Sequence, residues 1–105
     1  MPAPEALALA TRKGAEALGR HDLGALEPGR RADMVLLRLD DVAMTPILDD
    51  RDLVSHLVWS ASSRLVDSVW VEGEQVVAGG RPLRVDEERA RREVEQRARR
   101  LAATG

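Results

Sequence analysis

GALEPGRRADMVLL, residues 24–37, sets a tight turn directly against an apolar run. With Glu27 at the first turn position, Pro28 falls second, where its ring fixes φ, and Gly29 falls third, where a type II turn needs φ > 0. Arg30, Arg31 and Asp33 put charge directly behind the turn, and Met34 to Leu37 is apolar without interruption. That run predicts a strand over Ala32 to Leu39 that expects cover on both faces. A rigid, charged turn is aimed into a strand that a chain of 105 residues has little material to bury.

Upstream, Leu7, Ala10, Gly14, Ala17 and Leu18 recur on one helical face, which predicts a helix from Pro4 to Leu18. Pro4 suits its first turn and Gly19 the position past its end. Gly14 costs such a helix about 1 kcal/mol against alanine. With Ala10 it forms a small-residue face, either for close packing or simply tolerated.

Downstream, Asp40 to Asp50 reads as a loop broken by Pro46, and Asp52 to Trp59 as a short helix capped by Asp50 or Asp52. Ser60 to Arg64 is turn-like. LVDSVWVEG and EQVVAGG are β-rich runs joined at Glu72-Gly73-Glu74, a hairpin with Val69 and Val71 on one face and Ser68 and Trp70 on the other. Gly79-Gly80 and Pro82 should end the sheet. The last helix runs from Asp86 to Ala103, acids first and arginines last, with a thin stripe of Ala90, Val94, Ala98 and Leu101. Glu88–Arg92 and Glu93–Arg97 have the spacing of i,i+4 ion pairs.

Composition narrows the function classes. The chain is 44% hydrophobic and 32% charged with a net charge of −2, which argues against nucleic acid as a partner. It has no cysteine, hence no disulfide, thiolate metal site or cysteine nucleophile. No apolar run reaches the ~18 residues of a membrane span, so no membrane partner is expected. The Ala-rich N-terminus makes a poor signal peptide, and a cytoplasmic location is the expectation. The core must be aliphatic, because Trp59 and Trp70 are the only aromatics.

The residue types offer little chemistry. His21 and His56 are the only histidines, and neither has a second ligand at helical or strand spacing. Asp49, Asp50 and Asp52 lack the spacing of a calcium loop and read as capping residues. The serines of SASS lack a nucleophile-elbow frame. Gly79-Gly80 does not extend to a phosphate loop. The arginines from Arg89 to Arg100 alternate with glutamates and lack aromatics for stacking. No catalytic residue and no metal ligand is assigned from residue types.

The order of motifs carries more. ATRKGAEALG, LGALEPGRRADMVLL, HLVWSASSRLVDSVWVEGEQVVAGGRPL and an acid-led helix follow one another. This succession resembles the C-terminal quarter of the metal-dependent amidohydrolase superfamily, in the branch of the chlorohydrolases, triazine hydrolases and adenosine- or guanine-type deaminases. The motif residues are Gly24, Leu26, Gly29, Ala32 and Asp33 in G-x-L-x-x-G-x-x-A-D, with Pro28 inside it, and Val66, Asp67 and Gly73 in V-D-x-V-x-V-x-G. Ala3 stands where a Ser or Thr cap is ordinary, and Ser63 where glycine is common.

The resemblance implies an α+β fragment: the last helix of a (β/α)8 barrel in residues 1–20, the C-terminal half of a composite β domain in 21–85 (one strand, a short helix and a hairpin), and a surface helix in 86–105. Gly24, Leu26, Pro28, Gly29, Asp33, Asp67 and Gly73 are structural residues of that frame. The family's metal ligands lie upstream of the matched part, so none is assigned here. No cofactor belongs to this chain, and zinc or iron is expected in the full-length parent. The implied partner is the N-terminal half of the amidohydrolase, in the same or a separate chain. Exposed apolar strand surface should make the isolated chain self-associate. The alternative is a stand-alone β-α interaction module without catalytic activity.

Overall fold

The computed structural model describes residues 1–104; Gly105, the last residue of the expected 86–105 segment, lies outside them. The elements run α1 (Ala3–Ala10), α2 (Arg12–Ala17), β1 (Met34–Leu37), a 3-10 turn (Val42–Met44), α3 (Asp50–Trp59), a second 3-10 turn (Ser63–Leu65), β2 (Val66–Val71), β3 (Glu74–Ala78), β4 (Arg81–Pro82) and α4 (Glu87–Thr104). The fold is α+β, with one antiparallel sheet ordered β1-β2-β3-β4. No helix among the described residues is long and apolar enough to cross a membrane.

The first helix is broken where one continuous element is predicted. Thr11 leaves helical geometry at φ −125 and ψ −97. Its Oγ1 donates to the Leu7 carbonyl at 2.8 Å, the back-bonding by which threonine bends helices. Gly14 is needed at this bend: a Cβ there would lie 2.7 Å from the Leu9 carbonyl oxygen. The helix then ends in a Schellman motif, Gly19 at φ +70 with its N–H on the Glu16 carbonyl and the Arg20 N–H on the Ala15 carbonyl.

Two further expectations are corrected. Asp49, not Asp50 or Asp52, caps α3, accepting the Asp52 N–H at 3.0 Å; the Asp52 carboxylate reaches back to the Leu48 N–H at 2.9 Å. Gly79-Gly80 does not end the sheet. Both residues take positive φ, +56 and +76, and form a second two-residue hairpin turn that returns the chain as β4. In α4 the ion pairs formed are Arg89–Glu93 and Arg91–Glu88, not those read from spacing.

The sheet bends at two adjacent points. Register slips between Leu36 and Leu37 along β1–β2, and between Val69 and Trp70 along β2–β3. The small core lies mainly in the helical layer, where α1 packs against α3 and α3 against the first 3-10 turn. Ala3, Ala15, Met44 and Leu65 are buried. Val35 and Leu36, on opposite faces of β1, are 56% and 53% exposed, so the cover expected on both faces is not supplied by this chain. Every residue of α4 is exposed.

Candidate functional site

The motifs converge on one place, the junction between the 20–33 loop and the tip of the β2–β3 hairpin. The loop begins at the glycine that ends α2. Arg20 makes a two-point ion pair with Asp22, Nε to Oδ1 and Nη2 to Oδ2, each 2.9 Å. Asp22 Oδ2 also accepts Arg31 Nε at 2.6 Å, and the Asp22 carbonyl accepts the Arg31 N–H at 2.8 Å. Asp22 therefore ties the helix exit to the far end of the loop. Hydrogen bonding from Arg20 holds its carboxyl well below the usual carboxylate range, against partial loss of hydration and with Arg31 adding to the effect.

Between these ends lies the turn the sequence predicts. Gly29 has φ +86, and the Arg30 N–H closes the turn on the Glu27 carbonyl at 3.1 Å. Arg30 pairs with the Glu27 carboxylate at 3.1 Å and donates from Nη1 to the Leu23 carbonyl at 2.9 Å. Gly24 is set by contact as well as by φ +90. A Cβ there would meet Ala15 Cβ and the Thr11 carbonyl oxygen at 2.9 Å and Arg12 Cα at 3.0 Å.

The loop then clasps the hairpin. Glu72 and Gly73 form a two-residue turn with φ +52 and +78. Glu72 is a non-glycine residue in left-handed geometry, a conformation costing roughly 1–2 kcal/mol. Three contacts hold it there. Asp33 Oδ1 accepts the Glu72 N–H at 2.8 Å, the Ala32 carbonyl accepts the Gly73 N–H at 3.0 Å, and Arg31 pairs with the Glu72 carboxylate. Asp33 and Gly73 are thereby brought to one junction, with Gly29 in the turn that precedes it. Asp67 lies elsewhere: its carboxylate accepts the buried Ser68 hydroxyl at 2.8 Å, and its carbonyl accepts the Gly80 N–H at 2.9 Å, steadying the second hairpin turn.

Arg20, Asp22, Arg31 and Glu72 complete the clasp, and motif reading passed them over. The available signal was a charged residue, Glu72, in a hairpin turn that favours asparagine or aspartate before glycine, with paired arginines upstream.

Beside the clasp, an open cleft of about 450 Å³ runs between α2 and the loop, lined by Gly14, Ala15, Leu18, Leu23, Leu26 and Asp33 among others. Leu18 and Leu26 on its rim are exposed. Its one carboxylate, Asp33, is already engaged with the Glu72 N–H, and its one hydroxyl, on Thr11, donates to the Leu7 carbonyl. The cleft offers apolar contact without acid–base chemistry. The residues present do not fit a metal centre. His56 Nε2 lies 2.6 Å from the Pro46 carbonyl oxygen. Among the described residues no three His, Cys, Asp or Glu side chains gather as a metal would require.

Comparison with known proteins places this arrangement. The model of the amidohydrolase family matches residues 1–76. The chain is 41% identical over 101 residues to a 5-methylthioadenosine/S-adenosylhomocysteine deaminase of Pelotomaculum thermopropionicum, covering 96% of this chain and 23% of that protein. It is 44% identical over 102 residues to the deaminase of the same name from Desulforudis audaxviator, with the same coverage. Among solved structures, an adenosine deaminase from Xanthomonas campestris with bound zinc superposes with a TM-score of 0.84 at 27% identity, over 96% of this chain and 23% of that one. Atrazine chlorohydrolase from Arthrobacter aurescens TC1 complexed with zinc superposes with a TM-score of 0.75 at 37% identity, over 90% and 20%. The chain thus spans just under a quarter of the length of the deaminases it matches. In sequence and in fold, the chain belongs to the amidohydrolase family.

Proposed function

We propose that this chain is the non-catalytic C-terminal portion of a metal-dependent amidohydrolase that hydrolyses a C–N (or C–Cl) bond of a heterocyclic substrate, a nucleoside- or purine-type deaminase before a chlorohydrolase. The observation that carries this reading is the 41–44% identity, over nearly the whole chain, to two nucleoside-type deaminases. Residues 1–20 serve as the last barrel helix, 21–85 as the C-terminal half of a composite β domain, and 86–105 as a surface helix. The clasp fixes the angle between the first two. The catalytic zinc or iron belongs to the remainder of the parent, and the N-terminal half, in the same or a separate chain, is the partner. Support comes from Val35 and Leu36, open on opposite faces of an edge strand.

The test compares the 105-residue chain alone with the same chain joined to its upstream region. Ammonia release is followed from 5-methylthioadenosine, S-adenosylhomocysteine and adenosine, and chloride release from atrazine. Turnover is expected only from the joined form. Hydrolysis by the short chain, with stoichiometric zinc or iron bound to it, would overturn the reading.

A further inference from the structure

We propose that α4 is an antiparallel pairing helix whose partner is the same helix of a second copy of this chain. All 18 of its residues are exposed, so nothing among the described residues covers its apolar stripe. Val94 is 67% and Leu101 73% exposed. At about 100° per residue, Ala90, Val94, Ala98 and Leu101 fall within about 80° of the helix circumference, a narrow seam of the kind two paired helices share.

Size and charge both select the antiparallel arrangement. A two-fold axis crossing the seam near Glu95 and Gln96 sets Ala90 opposite Leu101 and Val94 opposite Ala98. Each large side chain meets a small one, as close packing requires. A parallel pair sets Leu101 against Leu101 and leaves Ala90 facing Ala90 across a gap.

The charges agree. Residues 86–95 carry five acids and three arginines, whereas 96–104 carry three arginines and no acid. The same axis lays the acidic half of one helix along the basic half of the other. On one flank of the seam it brings Glu93 beside Arg97 of the second copy, and the symmetry repeats the pair. A parallel arrangement would stack arginine on arginine.

Sedimentation equilibrium tests the pairing on the 105-residue chain, with Glu93→Arg, Arg97→Glu and the double exchange. Arg97→Glu leaves both ion pairs within α4, Arg89–Glu93 and Arg91–Glu88, in place, and circular dichroism checks that helix content is kept. The expected result is a monomer–dimer equilibrium weakened by about tenfold or more in each single variant, because each turns two attractions into two repulsions. The double exchange should return the constant to within about threefold of the parent. A strictly monomeric parent would overturn the proposal and leave the seam to another segment. Association that ignores the single variants, as pairing through β1 would, also overturns it. So does a double exchange no tighter than the singles.

Discussion

Gly24 and Gly29 lie in one loop but answer to different constraints. Gly29 needs only its positive φ, since the space around it is open; Gly24 needs its positive φ and the absence of a Cβ that would strike Ala15 and Thr11. Gly29→Ala should therefore cost about 1–2 kcal/mol. Gly24→Ala should cost more, about 2–4 kcal/mol, because steric overlap adds to the dihedral strain. Urea unfolding of the two variants checks the order, and equal losses would mean that the contact with α2 yields. Gly14 gives a sharper case. Helix propensity alone makes Gly14→Ala stabilising by about 1 kcal/mol. With the Leu9 carbonyl oxygen 2.7 Å from the new Cβ, a net loss is expected instead. The three glycines were visible in the sequence as punctuation. The reason for two of them was not, because it lies in contacts across a bend that residue spacing does not encode.

The 20–33 loop and the hairpin tip behave as one electrostatic element, and that element has a pH dependence of fixed sign. Within it Asp22 is depressed by Arg20; beyond it, after β1, Asp40 is depressed by Arg38 and Asp41 by Arg64, with the same sign. A carboxyl whose folded pKa lies below its unfolded value contributes stability above the unfolded value, near about 3.9, and loses it as pH falls through the folded one. Urea midpoints should be level from neutral pH to about 5 and fall from about pH 4 downward. Asp22→Asn should flatten part of that fall, and an unchanged profile would place the acid sensitivity elsewhere. Asp33→Ala should raise the exchange rate of the Glu72 amide by about tenfold, since its acceptor is removed, while amides of α3 keep their protection. Turn chemistry was the most legible feature here: Pro28-Gly29 and Glu72-Gly73 announce their turns. The break at Thr11, the cap at Asp49 and strand β4 were not legible although their partners are local, the Leu7 carbonyl, the Asp52 N–H and the adjoining strand β3, because neighbouring residues offered the same spacing equally well. The arginine–glutamate pairs of α4 were ambiguous in principle, Glu88 having arginines at 91 and 92 and Glu93 having them at 89 and 97.

As a whole the molecule is more open than its length warrants. Its radius of gyration is 17.8 Å, where a compact chain of this length has about 13 Å. Its accessible surface is 8243 Å², against about 5,800 Å² for a compact monomer of its mass. The excess is of the size that large permanent interfaces bury. On the proposed function, joining the N-terminal half should raise the thermal midpoint by 10 °C or more, roughly the effect of a few kcal/mol on a domain of this size. Differential scanning calorimetry of the two forms measures it, and equal midpoints would mean that the open strand faces need no cover. This openness was half legible: the apolar run MVLL announced a strand that expects cover on both faces, but only the structure shows Val35 and Leu36 more than half exposed on opposite ones. The clasp carries a lesson for anyone building chimeras of these proteins. Its two halves, 20–33 and 72–73, lie on opposite sides of any crossover placed in the 38–65 stretch, where a loop looks like an inviting breakpoint. A hybrid cut there inherits Asp33 from one parent and the turn it steadies from the other. Crossovers before Arg20 or after Gly80 keep the matched pieces under one ancestry.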